Sequence, residues 1–249
     1  MSRTVGEPPD KTDGTYRDSA GRTLADYPRP SVAVDTAVLS VTPHPDRRSQ
    51  LAVLQVRRPD NDRHGAWALP GTFLHAGERL LDAVHRSLRA KAAIDGVAPI
   101  PLHVFDDPAR DERGWVLSIA HVDVIPYEQI TYALHTREYI RLTPATAPGP
   151  MPYDHADIVE RAVGHLRDRH AAAPDPHHLL TEPFTLRELR LMHEAVAGHP
   201  HQRDTFRRAM AEGLKPTGRL RTGTRGKPAE LFVRGSGSAC DGEKGCGRH

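Results

Sequence analysis

The segment LPGTFLHAGERLLDAVHRSLRAKAAI, residues 69–94, constrains the fold more than any other stretch because its hydrophobic period changes in the middle. Up to Gly77 the residues indicate a short extended segment that ends in a turn. After Gly77, apolar residues such as Leu80, Val84 and Leu88 recur at helical spacing. This spacing predicts an amphipathic helix over residues 78–93, directly behind a strand and a turn.

Strand-like segments lie on both sides of this helix. β-branched runs cover residues 31–41 and the stretch from Leu51, and the short segment AWALP leads into the turn. Residues 102–107 and 115–125 follow as two further strands, and Asp154 is a plausible N-cap for a helix over residues 155–168. We expect residues 28–170 to form one domain, behind a disordered arm at residues 1–27.

The second half of the chain has a different organisation. We interpret residues 171–182 as a linker, residues 183–235 as a second domain and residues 236–249 as a disordered tail. Thr185 followed three residues later by Glu188 is a capping box, and a second helix is expected over residues 202–212. Two short strands around a basic, glycine-rich turn come next. The order helix, helix, β-hairpin is typical of a winged helix-turn-helix.

Positive charge is concentrated in this second domain. The whole chain has a formal net charge of only +2, but residues 201–234 contain nine Lys or Arg against three acidic residues. Such a segment indicates a nucleic-acid-binding surface, although a solvated basic face is the alternative. Arg203 and Arg207 are one helical turn apart, on a different face from Phe206 and Met210. The candidate DNA-binding residues are Arg203, Thr205, Arg207, Arg208, Arg225 and Lys227.

Anchored on Glu78, residues 69–94 resemble the Nudix box and retain Glu78, Arg86, Leu88 and Ile94. The resemblance implies an α+β fold in which a Nudix α/β/α sandwich with a mixed sheet precedes the winged helix-turn-helix domain. It also implies that Arg86 pairs with Glu78 and holds the loop on the helix. The departures from the box are Thr72 for its first Gly, Ser87 for a Glu, Ala90 and Lys91 for the Glu-Glu pair, and Ala93 for its last Gly.

These departures remove the usual chemistry. Nudix hydrolysis holds the developing charge on Mg²⁺, which is bound by clustered carboxylates. With Ala90 and Lys91 in place of two of them, we expect no catalytic residue, no metal site and no cofactor. The His-rich segments around residues 177–178 and 199–201 lack convincing ligand spacing and are interpreted as loop histidines.

A cleft without its metal can still bind a nucleoside diphosphate. Arg58, Arg110 and Arg113 are candidates for phosphate or ribose contacts, and Trp67 and Phe73 for stacking on a base, unless the two aromatic residues belong to the core. Glu78 completes this set of candidate ligand-binding residues.

The whole ordered chain is similar to the Nudix-related transcriptional regulators of the NrtR type. The motifs that carry this similarity are YPRPSVAVDTAVLSV, the WALPG turn, RDERGWVLS, YDHADI and FTLREL followed by DTFRRAM. The resemblance implies a homodimer that binds operator DNA, commonly as a repressor, and senses a nucleotide sugar, often ADP-ribose. Family members often carry Asn where this chain has Thr205, so a different operator is expected.

The sequence therefore predicts a metabolite-responsive DNA-binding regulator. A divergent Nudix hydrolase of ADP-ribose or a similar diphosphate stays open as the alternative, as does a sensor with a protein partner. Cys240 and Cys246 are the only cysteines, and no long apolar run is present, so we expect a cytoplasmic chain without a membrane span. The identity of the effector is left open.

Overall fold

A seven-stranded mixed sheet forms the first part of the computed structural model, which describes residues 17–43, 49–59, 65–222 and 228–235. The strand order is β3-β2-β1-β6-β5, with β4 paired to β1 and β7 to β2. Strands β1 and β6 run parallel, and the other pairs run antiparallel. The strands are β1 (Ser31–Thr42), β2 (Gln50–Arg57), β3 (Trp67–Ala68), β4 (Gly71–Phe73), β5 (Ile100–Phe105), β6 (Val116–Val124) and β7 (Ile140–Pro144).

Helices cover both faces of this sheet. On one face, α1 (Leu80–Ser87) and α2 (Tyr127–Thr136) pack on a layer that includes Val34 and Val38. On the other face, α3 (His155–Ala172) packs on a layer that includes Ala37 and Leu39. Because side chains alternate along a strand, β1 supplies both layers. The predicted α/β/α sandwich with a mixed sheet is confirmed.

Helix α1 differs from its prediction at both ends. It begins at Leu80 rather than at residue 78, because the Glu78 carboxylate lies in the preceding turn and accepts the backbone N–H of His75 at 2.9 Å. Beyond Ser87 the chain continues as a π-helical turn, Leu88–Ala92, and leaves it at Ala93 with φ 54°. This left-handed conformation favours glycine, which explains why the Nudix box ends in Gly where this chain has Ala93.

Three elements of the first domain were not predicted from the sequence: β4, α2 and β7. Helix α2 follows Pro126 and buries Ile130 and Ala133, and β7 follows it and pairs with β2. At the amino-terminal side, part of the predicted disordered arm is structured. Asp18 closes a turn by accepting two backbone N–H groups, and Leu24–Asp26 forms a 3-10 turn. Residues 1–16 and 236–249 lie outside the described residues.

The second part has the predicted winged helix-turn-helix order, with one additional strand. It contains β8 (Phe184–Thr185), α4 (Leu186–Ala197), α5 (Arg203–Met210), β9 (Leu214–Arg221) and β10 (Ala229–Arg234). The three strands form a second sheet in the order β8-β10-β9. The capping box is confirmed: the Thr185 N–H donates to Glu188 Oε2 at 2.8 Å, and the Glu188 N–H donates to Thr185 Oγ1 at 3.2 Å.

Residues 171–182, interpreted from the sequence as a linker, pack against the rest of the chain. Helix α3 continues to Ala172, and the fully buried Asp175 accepts the N–H groups of Leu179 and Leu180. Asp175 also pairs with Arg234 of β10 at 2.5 Å. A run of small residues and prolines resembles a linker in sequence, but the buried carboxylate ties this one to the core.

One hydrophobic cluster runs through both parts of the chain. It extends from Leu39 and Val122 of the large sheet, through Leu166 of α3, to Leu189 of α4 and Phe206 of α5. The predicted boundaries between the domains stay predictions, since no break in this core marks them. Within the residues that the structure describes, none of the helices has the length and apolar character needed to cross a membrane.

Candidate functional site

A polar cleft of about 200 Å³ opens where β1, β4, the loop before β6 and the start of α3 meet. Four of the predicted ligand-binding residues line it together: Arg58, Phe73, Arg110 and Arg113. The other residues that matter on its walls are Asp35, Gly71, Lys91, Asp111, Tyr153 and His155. The prediction had not placed any of these six in the ligand site.

Asp35 is the buried anion at the centre of this cleft. Its carboxylate accepts the Ser118 hydroxyl at 2.6 Å and lies 3.4 Å from His155 Nε2 and 3.8 Å from the Arg110 guanidinium. Burial alone raises the pKa of the Asp35 carboxyl. The electrostatic interaction with His155, the hydrogen bonds from His155 Nε2 and the Ser118 hydroxyl, and the charge of Arg110 together lower that pKa to about 2. Asp35 is therefore ionised at neutral pH.

His155 and Arg110 join this anion to the start of α3. His155 Nδ1 accepts the backbone N–H of Leu69 at 3.0 Å, which leaves its Nε2 facing Asp35. Arg110 donates to both carboxylate oxygens of Asp154, the N-cap residue of α3, at 2.7 and 2.5 Å. The first turn of α3 is thus held by the same groups that surround Asp35.

Gly71 is required for this arrangement by close packing. It pairs with Asp35 in the β1–β4 register. A Cβ atom at position 71 would lie 1.9 Å from Asp35 Oδ1 and 2.9 Å from the Val34 carbonyl oxygen. No side chain fits there without a shift of the Asp35 carboxylate. The Lys91 ammonium donates to the carbonyl oxygen of the same glycine.

Guanidinium groups and aromatic rings alternate along one wall of the cleft. The guanidinium carbons of Arg58 and Arg113 lie 5.4 and 5.0 Å from the centroid of the Tyr153 ring. The guanidinium carbon of Arg113 also lies 5.2 Å from the centroid of the Phe73 ring. Asp111 holds Arg113 in place with two hydrogen bonds to its side chain, at 2.9 and 2.7 Å. The hydrogen bonds from Arg113 lower the pKa of Asp111, so this pair is ionised. Such a wall suits a ligand that is both anionic and planar.

Two predicted ligand-binding residues lie away from these walls. Trp67 packs against Arg141, whose guanidinium carbon is 4.1 Å from the ring centroid. Glu78 pairs with Arg86, which donates to both of its carboxylate oxygens at 2.8 Å and also to Phe73 O at 2.9 Å. The hydrogen bonds from Arg86 and from the His75 N–H lower the pKa of Glu78 to about 2. The predicted structural role of Arg86 is confirmed.

The residues present do not fit the Mg²⁺ of Nudix hydrolases. The positions of the paired glutamates hold the Ala90 methyl group and the Lys91 ammonium. Within the described ranges, no group of three or more His, Cys, Asp or Glu residues is arranged to hold a metal ion. We therefore derive no chemistry through a metal at this cleft.

Helix α5 presents the predicted basic residues to solvent. Phe206 and Met210 are buried, while Arg203, Arg207 and Arg208 are exposed. Arg203 and Arg207 line a groove of about 320 Å³ between α5 and the start of α4. Two further arginines of that groove, Arg187 and Arg190, were not predicted, although the LRELR spacing at the start of α4 is a signal for them.

Thr205 lies on another side of α5. It borders a cavity of about 590 Å³ between α3, α4 and α5, together with Phe206 and several histidines. Its backbone N–H donates to the Gln202 side chain, which caps the helix. Arg225 and Lys227, predicted to contact DNA from the wing, lie outside the described residues.

Several histidines in and beside this cavity pack against one another. The buried His170 ring lies 5.4 Å from that of His177 and 5.1 Å from that of the buried His193. His201 lies 6.4 Å from His193, between centroids. His177 and His201 lie in loops, as interpreted, and they pack against partners on α3 and α4 that are seven and eight residues away in sequence.

Comparisons with known proteins agree with this architecture. Residues 176–233 match the family model described as the NrtR DNA-binding winged helix domain. The chain is 29% identical over 216 residues to the ADPR-responsive transcriptional repressor NtrR of Acinetobacter baylyi. This alignment covers 84% of this chain and 83% of that protein. It is 34% identical over 100 residues to an ADP-ribose pyrophosphatase of Methanocaldococcus jannaschii, over 40% of this chain and 54% of that protein.

A solved structure extends the likeness to both parts of the chain. Shewanella oneidensis NrtR in complex with a 27mer DNA superposes with a TM-score of 0.69 at 30% identity, over 84% of this chain and 95% of that chain. The fold and the cleft define a protein in which a Nudix domain without the Nudix metal ligands is joined to a winged helix. The chain belongs to the NrtR family of transcriptional regulators.

Proposed function

We propose that this chain is a DNA-binding transcriptional repressor whose Nudix cleft binds ADP-ribose or a related nucleotide sugar and whose winged helix binds operator DNA. The observation that carries the proposal is the position of α3. This single helix begins in the cleft with His155 and ends beside α5 with His170 and Ala171. At 18 residues it spans about 27 Å.

The cleft supplies groups that suit a nucleoside diphosphate sugar. Arg58, Arg110 and Arg113 offer guanidinium donors for phosphate oxygens, and Phe73 and Tyr153 offer ring faces for a base. Of the predicted residues, Trp67 and Glu78 take no part in this proposal, because they lie outside the cleft.

The DNA surface is proposed to be the groove between α4 and α5 and the exposed side of α5. Arg187, Arg190, Arg203 and Arg207 would contact phosphates, and Arg208 lies on the same exposed helix. Arg225 and Lys227 remain candidates for wing contacts. Thr205 is placed beside the cavity, so we propose that it affects the packing of α5 as much as the reading of bases.

We further propose that the chain does not hydrolyse its ligand. Ala90 and Lys91 replace the paired glutamates, and Lys91 brings a positive charge to a position where hydrolases hold a metal-binding carboxylate. The repressor is proposed to act as a homodimer in the cytoplasm. The two subunits would then match the two halves of a palindromic operator.

Regulation requires only that ligand and DNA favour different positions of α5. Ligand contacts at Arg110 and Tyr153 act on the first turn of α3, because Arg110 pairs with Asp154. The far end of α3 packs on α4, where Arg167 donates to the Val196 carbonyl oxygen at 3.1 Å. Typical coupling free energies of 1–3 kcal/mol correspond to roughly 5- to 150-fold weaker DNA binding.

Fluorescence anisotropy with DNA from upstream of the chain's own operon tests this proposal, with ADP-ribose titrated at fixed salt. We expect specific binding that weakens as ADP-ribose is added. Arg207→Ala should weaken DNA binding and reduce the slope of log affinity against log salt by about 1, with ligand binding intact. Arg58→Ala should keep DNA binding and blunt the response to ADP-ribose.

Arg89→Ala is the matched control for both variants. Arg89 is an exposed cation on the helical turn after α1, and its ion pair with Asp95 lies outside the cleft and outside the DNA groove. Equal loss of DNA and ligand binding in both Arg207→Ala and Arg58→Ala would contradict the division into two sites. Specific DNA binding that ignores ADP-ribose would reject this effector and retain the regulator.

A hydrolase is the second candidate, favoured by the likeness of 100 residues to an ADP-ribose pyrophosphatase. It predicts release of AMP from ADP-ribose in the presence of Mg²⁺, at a rate well above that of a Glu78→Gln variant. Absence of AMP after prolonged incubation with Mg²⁺ or Mn²⁺ would exclude it.

A further inference from the structure

The mismatch between this cleft and Mg²⁺ is itself informative, because the replacement for the lost carboxylate is a cation. A neutral residue at position 91 would remove the metal ligand and leave the cleft without a compensating charge. Lys91 instead places an ammonium group on the rim of the cleft. Its position raises the question of what this charge does for the ligand.

We propose that the cleft binds the diphosphate group of its effector without a metal ion, and that the Lys91 ammonium supplies the positive charge that Mg²⁺ supplies in Nudix hydrolases. This inference rests on the proposed function for the class of ligand, a nucleoside diphosphate sugar. It adds the residue that determines how the diphosphate is recognised.

The backbone places Lys91 where it can do this. The residue lies in the π-helical turn Leu88–Ala92 that continues α1, and its ammonium donates to the Gly71 carbonyl oxygen. Gly71 is paired with Asp35 across the β1–β4 ladder and approaches it so closely that no Cβ fits between them. The hydrogen bond therefore anchors the ammonium at the glycine that adjoins the buried anion.

The charges that line the cleft support the same conclusion. Four cationic side chains, Arg58, Lys91, Arg110 and Arg113, face two carboxylates, Asp35 and Asp111. Each carboxylate is already engaged, Asp35 by Ser118 and His155 and Asp111 by Arg113. The Asp154 carboxylate, which pairs with Arg110 beside the cleft, reduces the excess to one positive charge. Lys91 supplies that charge, so without it the cleft would have no net positive charge to attract a diphosphate.

A divalent cation at this rim would meet an unfavourable field. A unit positive charge beside a doubly charged ion repels it, and in a partly desolvated cleft this repulsion is several times stronger than in water. Diphosphate oxygens, in contrast, accept hydrogen bonds from an ammonium and from guanidinium groups. The cleft therefore selects the ligand free of metal.

Reversing the charge at position 91 provides the sharpest test. Lys91→Glu places a second carboxylate next to the Asp35 carboxylate and the Gly71 carbonyl, and oxygen ligands of this kind are those that Mg²⁺ prefers. We expect this variant to bind diphosphate poorly without metal and to recover binding when Mg²⁺ is added. If Lys91 had only a structural role, Lys91→Glu would not make diphosphate binding depend on Mg²⁺.

The measurement is isothermal titration calorimetry of the full chain with two probes, inorganic pyrophosphate and ADP-ribose, each in EDTA and in millimolar Mg²⁺. The wild type should bind pyrophosphate in EDTA and should bind it no more tightly in Mg²⁺, because Mg²⁺ competes with the cleft for the probe. Lys91→Met should weaken binding by roughly tenfold or more, the usual effect of removing one charged hydrogen bond. Lys91→Arg should retain most of the affinity, and Arg89→Met, a neighbouring exposed cation, should bind as the wild type does.

The outcomes separate this inference from the proposed function. Wild-type binding that requires Mg²⁺ would overturn the inference and leave the repressor proposal intact. Pyrophosphate binding that is metal-independent and Lys91-dependent, without binding of ADP-ribose, would support the inference and reject ADP-ribose as the effector. Binding of neither probe, or unchanged affinity in Lys91→Met, would overturn the inference. Thermal unfolding of each variant by circular dichroism confirms that the chains compared are folded.

Discussion

Arg110 links the cleft to α3, and its removal is expected to destabilise the fold severely. Its side chain is only 4% exposed and pairs with two carboxylates, Asp154 at 2.5 Å and Asp35 at 3.8 Å. Those carboxylates are themselves 14% and 10% exposed. Arg110→Leu keeps the apolar part of the side chain and leaves both anions without their cation.

The expected loss is about 3–5 kcal/mol, the usual cost of breaking a buried ion pair by removing one partner. Because a chain of this size changes its Tm by about 2–4 °C per kcal/mol, the midpoint should fall by roughly 6–20 °C. Urea unfolding followed by circular dichroism measures the change in free energy. Arg89→Leu is the matched control, since its pair with Asp95 is exposed and should contribute about 0–1 kcal/mol.

The pH dependence of the loss identifies its cause. Burial raises the pKa of Asp35, and His155, Ser118 and Arg110 together lower it to about 2. A lowered carboxyl pKa adds stability that is present above the unfolded pKa, about 3.9, and is lost as the pH falls through 2. Without Arg110 the pKa of Asp35 rises, so the difference in free energy of unfolding between variant and wild type should be full at pH 7 and narrow only as the pH falls below about 3.9 towards 2. A loss below 1 kcal/mol at pH 7, or a gap that widens in acid, would refute this reasoning.

Three further predictions concern the cleft, the histidines and α5. Gly71→Ala should weaken binding of pyrophosphate and ADP-ribose at least tenfold, since its Cβ would lie 1.9 Å from Asp35 Oδ1, and unchanged calorimetric affinity would contradict the packing argument. Burial lowers the pKa of His170 to about 2 and that of His177 to about 4, and it also lowers that of His193. Because these histidines fold in the neutral form, stability should be complete above pH 6.5 and fall in more acidic solution, by about 1.4 kcal/mol per pH unit for each of His170 and His177. Urea titrations at pH 7, 6 and 5 measure how the free energy of unfolding changes with pH. This slope should be smaller in His170→Phe than in the wild type. Equal slopes in the two chains would show that His170 is not buried in its neutral form. Phe206→Ala should lower the free energy of unfolding by about 3–5 kcal/mol, and a loss below 1 kcal/mol would show that Phe206 is not part of the shared core.

Local patterns were sufficient for much of this fold. The capping box of Thr185 and Glu188, the helical spacing after Gly77 and the Arg86–Glu78 pair each depend on residues close together in sequence. Fixed offsets along a strand or a helix bring such residues together in most structures. For that reason the order of elements could be predicted from the sequence, apart from β4, α2, β7 and β8.

The cleft depends on contacts that no local pattern contains. Asp35 meets Ser118 across 83 positions, and Arg110 meets Asp154 across 44. Asp35 itself looked like one polar residue in a β-branched strand, and only the parallel pairing of β1 with β6 reveals its partner. Trp67 illustrates the opposite case: its residue type suited a ligand site, but the register of β3 on β2 directs it to Arg141. The wing residues Arg225 and Lys227 lie outside the described residues and stay predictions.

The shared helix α3 sets a rule for anyone who builds chimaeras from this protein. Leu166 of α3 and Leu189 of α4 belong to one hydrophobic cluster with the large sheet, and Arg234 closes the segment after α3 through Asp175. A transplanted DNA-reading module cut at residues 171–182 would therefore expose the apolar side of α4 to water and invite aggregation. A fusion point before Asp154 would keep α3 with the winged helix, so that α4 retains the helix on which it packs. Such a chimaera would also contain the first turn of α3. A sensor domain that binds this turn in the new protein could then regulate binding to the operator.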